Sequence, residues 1–453
     1  MRRVYLDYAA TTPTHPDVSK AMSPFLRHSF GNPSSMHSAG QEARVAVEEA
    51  REKVASLIGA GRKEIVFTSG GTESDNFALK GMAYAHDGKR NHIITSSVEH
   101  HAVLETCKFL QRLGFTVTYL PVDGYGLVDP DDVKRPITER TLLISVMHAN
   151  NEVGTVEPIA EIGKVAREAG ICFHTDAVQT AGHIPVKVDD LRIDMLAMSA
   201  HKLGGPKGVG ALYVRKGTRM VSFVHGGEQE EGRRASTENV PGIVGFGQAA
   251  EIAQRESDKE AERLTALRDK LTKGLIQQVD PVQLNGHPTR RLPNNVNMSV
   301  DGVEGEHLLL NLNARGICVS TGSACSSSNS EPSHVLLALG LSHEQARGSI
   351  RLSLGRETAE RDIDCVLAVL PEVAAKLRAM PPSARGTVAE GAVAGNALRN
   401  AILKYETENR TQMLCRFSHL RCLTCPASGV GQGCLLSKWQ LAKRENRALE
   451  EGL

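Results

Sequence analysis

One lysine has unusual surroundings. In the stretch "MLAMSAHKLGGPKGVGALYVR" (195–215), Lys202 follows an apolar run and precedes two glycines, with Ser199 and His201 close by. Glycines leave the backbone with little side-chain cover, so an amine here can be desolvated and can form a covalent bond. A loop that merely carries a charge is the alternative, and the lysine alone does not decide between the two.

A glycine turn in front of a helix forms a second candidate site. After "EIVFTS" (64–69) comes "GGTESDN", where Gly70 and Gly71 allow backbone N–H groups to approach an anion and Thr72 adds a hydroxyl. Such turns are more often structural, so this one carries little weight by itself. It is not a P-loop, because no Gly-Lys-Ser/Thr follows.

A carboxylate comes one strand and helix before the lysine. "HTDAVQ" places Asp176 and Gln179 after a predicted strand, and Lys202 follows the next one 26 residues later. Ligands of open α/β sheets bind beyond the carboxyl ends of the strands, so these side chains should be neighbours. An aspartate and a lysine alone could form a salt bridge. With an anion site beside them, they match what pyridoxal phosphate (PLP) requires: an acid for the pyridine nitrogen, an amine for the aldehyde and N–H groups for the phosphate.

The elements that must position these residues alternate along the chain. Apolar runs predict buried strands, helical periodicity predicts helices that end at glycine, and the alternation indicates a mostly parallel sheet covered by helices. The predicted strands are 64–69, 92–97, 116–122, 141–149, 170–177 and 193–199, and the predicted helices 40–59 and 159–170. Near residue 260 the sequence pattern changes. A long charged helix is predicted there, followed by strands 294–300 and 348–355, which suit a smaller α/β domain.

Composition excludes several classes of protein. The chain has 453 residues, 41% hydrophobic and 23% charged, with a net charge of +1, so no overall field favours nucleic acid or an anionic membrane. The start meets Asp7 where a signal peptide needs apolar residues, and no apolar run reaches membrane-spanning length. Nine cysteines, an odd number, favour reduced thiols. We expect a cytoplasmic protein that contacts neither membrane nor nucleic acid.

Ten motifs in order resemble the NifS/IscS-like cysteine desulfurases of the fold-type-I PLP enzymes. They are "YLDYAATTP", "GNPSSMH", "TSGGTESDN", "EHHAV", "ANNEVGT", "HTDAVQ", "SAHKLGGPKGVGALY", "RRASTEN", "STGSACSSS" and "SIRLSLGR". The resemblance covers roughly residues 1–380. It implies an N-terminal segment (1–14) packed with the small domain, a large PLP-binding domain (15–260) and a small α/β domain (261–381) that carries the catalytic cysteine loop. The remaining residues predict a tethered C-terminal extension (382–453) with four cysteines.

The resemblance also implies a role for each site residue. Lys202 would bind the cofactor covalently, Asp176 would hold its pyridine nitrogen protonated, and Gln179 would hydrogen-bond its ring hydroxyl. His100 would stack on the ring and move protons, while Asn151 and Arg351 would bind the substrate, with the guanidinium gripping its α-carboxylate. The phosphate ligands would be Gly71, Thr72, Ser199 and His201, with Thr237 from the other subunit of a homodimer that shares its active sites.

Cys325 is the expected sulfur acceptor. It lies in "STGSACSSSNSEPSH" (320–334), which is too small and polar to pack and should form a mobile loop. Because a free thiol is only a few per cent thiolate at neutral pH, the site must activate it, through His100 or the substrate. By contrast, Cys107, Cys172, Cys318 and Cys365 have apolar neighbours and are expected to be buried and inert.

The implied reaction converts L-cysteine to L-alanine and leaves a persulfide on Cys325. The acceptors implied by the resemblance are an iron–sulfur scaffold or a tRNA-thiolation protein. A selenocysteine lyase, or another PLP-dependent lyase or aminotransferase, would keep the same cofactor residues. An aminotransferase, however, needs no loop thiol and gives a keto acid, so alanine without keto acid distinguishes it.

The tail contains a separate cysteine group beyond the resemblance. "MLCRFSHLRCLTCPASGVGQGC" contains Cys415, Cys422, Cys425 and Cys434, and its Cys-x-x-Cys pair has a spacing by which one turn presents two thiolates to zinc or an iron–sulfur cluster. The overall spacing matches no standard zinc ribbon. A persulfide relay or incidental cysteines are the alternatives, and the preceding "MPPSARGTVAEGAVAG" predicts a flexible tether.

Overall fold

The computed structural model describes residues 3–86, 88, 90–321 and 332–380. Its strands are β1 (Val4–Tyr5), β2 (Ile65–Thr68), β3 (His92–Ser96), β4 (Thr116–Leu120), β5 (Thr141–Ser145), β6 (Cys172–Asp176), β7 (Met195–Ser199), β8 (Gly210–Val214), β9 (Val282–Leu284), β10 (Asn295–Val300), β11 (Ile317–Cys318) and β12 (Ser349–Ser353).

The helices alternate with the strands through most of the chain. They are α1 (Pro16–Arg27), α2 (Ser38–Ile58), α3 (Gly71–Tyr84), α4 (His101–Arg112), α5 (Pro130–Lys134), α6 (Ile159–Ala169), α7 (Val240–Gln278), α8 (Gly305–Ala314), α9 (His334–Ala338), α10 (His343–Arg347) and α11 (Glu360–Ala379), with 3-10 turns at Arg62–Glu64, Ala200–Lys202 and Gln229–Gly232.

A seven-stranded sheet in the order β2-β8-β7-β6-β5-β3-β4 forms the centre of the fold. The strands from β7 to β4 are parallel, whereas β8 is antiparallel to both β7 and β2. Strand β2 therefore runs in the same direction as β7, so the residues that follow β2, β3, β5, β6 and β7 meet at one edge. This confirms the predicted mostly parallel α/β sheet.

Helices cover both faces of this sheet because most of its strands are buried on both sides, whereas the edge strand β4 is only partly buried. One apolar core packs residues of β2, β5, β6 and β7 against α2, α6 and the first half of α7. Another packs the opposite face against α3 and α4. The two-sided burial explains why the strands read as continuous apolar runs rather than as alternating patterns.

A second, separate core surrounds the antiparallel sheet β12-β10-β9. It joins the second half of α7 to α8 and α11, and it includes Val4 and Leu6 from the start of the chain. Strand β1 pairs in parallel with β11, and Asp7 bridges to Ser353. Helix α7 begins at Val240, so the predicted domain boundary at residue 260 falls inside one 39-residue helix.

None of the helices in the described part of the chain combines the length and apolar character that a bilayer-spanning helix needs.

Candidate active site

Lys202 ends the 3-10 turn that follows β7, at the carboxyl edge of the sheet. Its Nζ donates hydrogen bonds to two backbone carbonyls of the N-terminal segment, Ala9 O and Ala10 O, the latter at 3.0 Å. The amine is therefore held between the large domain, which carries it, and the segment that leads into the chain. Carbonyl oxygens are acceptors and therefore stabilise the charged ammonium form of the lysine.

Asp176 is the last residue of β6 and is only 6% exposed. Its Oδ1 accepts from the backbone N–H of Val178 at 2.8 Å. Burial raises the pKa of the Asp176 carboxyl, while the nearby His100 and Lys202 act in the opposite direction. A cationic group placed against this carboxylate would offset the free-energy cost of burying its charge. A protonated pyridine nitrogen is such a group.

Gln179 follows three residues later and is also buried. Its Nε2 donates to Ala9 O at 3.1 Å, so Ala9 O accepts from Gln179 and from Lys202 together. This one carbonyl therefore fixes the relative positions of two predicted cofactor ligands on neighbouring strand ends.

His100 caps the N-terminus of α4, and its Nδ1 accepts from the backbone N–H of Ala102 at 3.1 Å. Burial lowers the pKa of His100, with Asp176 opposing that shift and Lys202 and His101 adding to it. Because the Ala102 contact requires an unprotonated Nδ1, the neutral ring carries its hydrogen on Nε2. A neutral imidazole of fixed tautomer suits both ring stacking and proton transfer.

The predicted anion site is a pocket at the N-terminus of α3. Its lining includes Gly70, Gly71, Thr72, Ser199, His201 and Lys207. A Cβ atom added to Gly71 would lie 2.6 Å from Val178 Cγ2. Glycine therefore lets the start of α3 pack directly against the residues that follow Asp176. Helix N–H groups, a hydroxyl pair and the Lys207 ammonium make the pocket suitable for a phosphate.

His201 contributes to this pocket as a neutral ring. Burial, with added effects of Lys202 and Lys207, lowers the pKa of His201 to about 4. Its Nδ1 lies 3.1 Å from Thr11 Oγ1, and its backbone carbonyl accepts from Thr12 Oγ1 at 2.8 Å. The N-terminal segment therefore also orients this ring.

Arg351 lies on β12 of the small domain and is buried. Its Nη1 donates to Asn151 O at 3.0 Å, and its Nη2 donates to Asp7 Oδ1 at 2.9 Å. The structure thus brings the predicted substrate pair, Asn151 and Arg351, into direct contact. A buried guanidinium is well suited to bind a carboxylate, because it is planar and always charged.

Thr237 lies beside the anion pocket of its own chain. It lines a neighbouring pocket with Ser69 and Gly208, both of which also line the anion pocket. The preceding segment is held there by Arg234, whose Nε donates to Glu73 Oε1 of α3 at 2.8 Å. That Thr237 contacts the cofactor phosphate in the site of a second subunit stays a prediction.

Buried acids surround the edge of the sheet. Glu99, next to His100, is 0% exposed, and burial raises its pKa to about 8 although Ser96 Oγ and Met147 N donate to its Oε1. Asp75 on α3 is also buried, and burial together with Asp176 and Glu99 raises its pKa. Burial raises the pKa of Glu152 to about 7. Burial therefore favours the protonated, uncharged form of each of these acids.

Several predicted site residues lie outside the described residues. These are Cys325 and the tail cysteines Cys415, Cys422, Cys425 and Cys434. Within the described ranges, no group of three His, Cys, Asp or Glu side chains could hold a metal ion. Of the cysteines expected to be buried, Cys107 is, whereas Cys172, Cys318 and Cys365 are partly exposed. Cys172 and Cys365 lie at the margins of their cores.

The described residues fit PLP. A buried acid for its nitrogen, a neutral ring for its face, an amide for its hydroxyl, a pocket for its phosphate and an amine for its aldehyde all lie along one sheet edge. The desolvated carboxyl of Asp176 is the strongest of these indications, because burial without a cationic partner is unfavourable.

Five contributors to the site were not identified from the sequence. The carbonyls of Ala9 and Ala10 carry no side-chain signal, and Asp7 was considered only as a charge incompatible with a signal peptide. Glu99 and Glu152 could have been noticed, since each adjoins a predicted site residue, His100 or Asn151.

Comparison with known proteins identifies the family of the chain. Residues 4–366 match the model of the aminotransferase class-V family. The chain is 59% identical over 381 residues to a cysteine desulfurase IscS of Dictyoglomus turgidum, a match that covers 84% of this chain and 97% of that protein. The structure resembles that of a NifS-like protein with a TM-score of 0.78 and 40% identity, covering 83% of this chain and 100% of that one.

A further solved structure, described as SspA in complex with cysteine, has a TM-score of 0.69 and 40% identity and covers 77% of this chain and 98% of that one. The chain belongs to the class-V aminotransferases, which are PLP-dependent enzymes of fold type I. Within that family it belongs to the IscS-like cysteine desulfurases. The resemblance noted from the sequence is thereby confirmed.

The buried Glu99 makes a prediction for stability. The unfolded chain loses the Glu99 proton near pH 4.5 and the folded protein near pH 8, so the stability that this group contributes is lost as pH rises between those values, by about 1.4 kcal/mol per unit. Glu99→Gln keeps the acceptor for Ser96 and Met147 but cannot ionise. Its melting temperature relative to wild type should rise from about pH 5 to about pH 8 and then level off.

Glu105→Gln is the matched control, because Glu105 is exposed on α4. Its relative melting temperature should show no such rise. A Glu99→Gln protein whose relative stability is independent of pH would mean that Glu99 is already ionised in the folded protein.

Proposed function

We propose that this enzyme converts L-cysteine to L-alanine and transfers the sulfur to Cys325 as a persulfide. The observation that carries the proposal is that Lys202 and Arg351 both contact one N-terminal segment, with the buried Asp176 close to Lys202. An amine, a buried acid and a buried guanidinium in this arrangement provide for covalent cofactor attachment and amino-acid binding at a single site. The identity to cysteine desulfurases IscS supports cysteine as the amino acid.

The cofactor ligands follow from the same arrangement. Lys202 would attach PLP, Asp176 would pair with its nitrogen, His100 would stack on its ring and Gln179 would bind its hydroxyl. The phosphate would lie on Gly71, Thr72, Ser199 and His201 at the start of α3. When bound, PLP supplies an electron-withdrawing ring conjugated to the substrate Cα.

Binding and proton transfer are then assigned to residues of the chain. The Arg351 fork holds the substrate α-carboxylate, with the Asn151 side chain beside it. Nζ of Lys202, freed by the substrate amine, removes the Cα proton. The carbonyls of Ala9 and Ala10 stabilise the resulting ammonium, which lies at the hydrogen-bonding position seen in the structure. Neutral His100 can hold or return a proton through Nε2.

Sulfur transfer balances as an exchange of bonds. The Cys325 thiolate attacks the substrate sulfur, so an S–S bond forms while the substrate Cβ–S bond breaks. The electrons of that bond stay with Cβ, which takes up a proton and becomes the methyl group of alanine. The products are alanine and Cys325–S–SH, and no external oxidant is needed.

We also propose a homodimer in which Thr237 of one subunit contacts the phosphate of the other. Exposed apolar side chains near the start of the chain support a protein contact. Leu26, Phe30, Met36 and Val45 are between 56% and 93% exposed. Several large apolar side chains exposed within 20 residues of sequence suit an interface.

The persulfide requires an acceptor and a reducing environment. We propose a sulfur-acceptor protein such as an iron–sulfur scaffold or a tRNA-thiolation enzyme, in line with the relatives named IscS. Because Cys325 must remain a free thiol between turnovers, a reducing compartment suits the reaction, and we place the enzyme in the cytoplasm.

Variants of Cys325 and Arg351 should fail at different steps. Cys325→Ser should still bind cysteine and perturb the cofactor absorption spectrum but form no protein persulfide, because serine cannot accept sulfur in this way. Arg351→Gln should raise the KM for cysteine by about tenfold or more, since it loses a charged fork. Absorption titration with cysteine, persulfide labelling and alanine assays measure the three quantities.

Cys318→Ser is the matched control for the thiol, because Cys318 is partly exposed on β11 but is assigned no role. It should keep both persulfide and alanine. Wild-type persulfide on Cys325→Ser, or alanine production by Lys202→Ala, would contradict the proposed function.

For the tail we propose that Cys415, Cys422, Cys425 and Cys434 bind zinc or an iron–sulfur cluster. Four thiolates that include a Cys-x-x-Cys pair are a sufficient ligand set. Truncation near Ala384 should leave alanine production with a small-molecule reductant within about twofold, because every proposed catalytic residue precedes it. Bound metal should be lost. Elemental analysis of anaerobically prepared full-length and truncated protein tests this, and equal metal in both would contradict it.

A further inference from the structure

The guanidinium proposed to bind substrate already holds a carboxylate of its own chain. Arg351 Nη2 donates to Asp7 Oδ1 at 2.9 Å while Nη1 donates to Asn151 O at 3.0 Å. The Arg351 side chain is 4% exposed and that of Asp7 is 22% exposed. Arg351 Nε is buried and has no hydrogen-bond partner among the described residues.

A substrate carboxylate must therefore share or take over these donors. A guanidinium offers its N–H groups in a fixed planar fork, and a carboxylate binds best across two of them. With one N–H of Nη2 engaged by Asp7 and one of Nη1 by a backbone carbonyl, a carboxylate that spans both Nη groups competes with these partners for the guanidinium. The competition is relieved when one of the present partners leaves.

Asp7 is the partner that can leave. Asn151 O belongs to the backbone, whereas Asp7 Oδ1 is at the end of a side chain that partly faces solvent. The Asp7 backbone is fixed by the Tyr5 hydroxyl, which donates to Asp7 O at 3.0 Å, and by the Asp7–Ser353 bridge. Rotation of the Asp7 side chain can therefore release the guanidinium without moving the N-terminal segment.

Electrostatics favour one carboxylate at a time. Arg351 supplies one positive charge, and the acids that face it are Asp7 and Glu152, which is buried and bonded by Ser333. A substrate carboxylate added beside an ionised Asp7 would place two anions on one cation in a partly desolvated site. Such an arrangement is unfavourable unless one of them moves into water.

We propose that Asp7 is a stand-in for the substrate α-carboxylate. It occupies Arg351 in the free enzyme, is displaced when cysteine binds, and returns to Arg351 when alanine leaves. Asp7 is thus a positioning residue that weakens the binding of substrate and product equally and keeps the buried guanidinium paired between turnovers. The inference rests on the proposed role of Arg351 in binding the substrate.

Asp7→Asn in the PLP-loaded enzyme is the primary test. The amide keeps the shape and the acceptor but loses the charge that competes with the substrate. The KM for cysteine and the inhibition constant for alanine should fall together, by about three- to tenfold, a range of roughly 0.7–1.4 kcal/mol. Asp7→Glu keeps the charge and should return both constants toward wild type.

Cysteamine, which is cysteine without the carboxylate, distinguishes competition from a general effect on the site. The inhibition constant of cysteamine should be unchanged by Asp7→Asn, because cysteamine has no carboxylate that could bind Arg351. Glu372→Gln is the matched control, since Glu372 pairs with Arg315 in the small domain by a similar 2.8 Å contact and removal of its charge should alter neither constant.

The Arg351→Gln background separates this inference from the proposed function. There, Asp7→Asn should no longer tighten alanine binding. If Arg351→Gln leaves the KM for cysteine unchanged, the substrate role of Arg351 is wrong and the inference falls with it. If Arg351→Gln raises KM but Asp7→Asn raises or does not change the alanine constant, the inference alone is overturned, because Asp7 is then only structural.

Discussion

The structure depends on the convergence of charged groups at the carboxyl edge of the parallel sheet. Strands β2, β3, β6 and β7 run in one direction, so the anion pocket, His100, Asp176 and Lys202 are brought together however far apart they lie in sequence. The same convergence removes these groups from water. Burial raises the pKa of Asp176 and lowers that of His100, and the site is thereby prepared for a cationic, planar, phosphate-bearing ligand.

The N-terminal segment fixes the positions of the side chains at this edge of the sheet. Ala9 O accepts from both Lys202 and Gln179, Thr11 contacts His201, and Asp7 pairs with Arg351. The N-terminal segment also pairs through β1 with β11 and contributes Leu6 to the core of the small domain. A short stretch of chain therefore connects groups that belong to both sheets. Backbone carbonyls and the side chains of Asp7 and Thr11 both make these contacts, so the importance of the segment depends on its path as well as on its side chains.

Much of this organisation could be predicted from the sequence. Strands such as β6 and β7 are continuous apolar runs followed by polar residues, so both the sheet and the place of Asp176 and Lys202 follow from local pattern and chain direction. The early start of α7 was missed, because Val240–Gln278 begins with glycine-rich turns that lower helix propensity and are stabilised by packing on α1 and α2.

The contacts of Asp7 and Ala9 could not be predicted. Asp7 and Arg351 are separated by 344 residues, and a backbone carbonyl has the same chemistry in every residue type. Only the path of the chain places them against the site. Glu99 and Glu152 are intermediate cases: the sequence shows charged residues beside His100 and Asn151, but burial, which determines their charge at neutral pH, is a property of the folded protein.

The central claim is that Lys202 is the amine that binds the cofactor. Reduction of the PLP-loaded enzyme with borohydride, followed by protease digestion and mass spectrometry, tests it most directly. Lys207 lines the anion pocket five residues away and provides an internal comparison. The account predicts that the pyridoxyl group is attached to Lys202 and not to Lys207. Attachment to Lys207 or to another lysine, or no attachment at all, would contradict it.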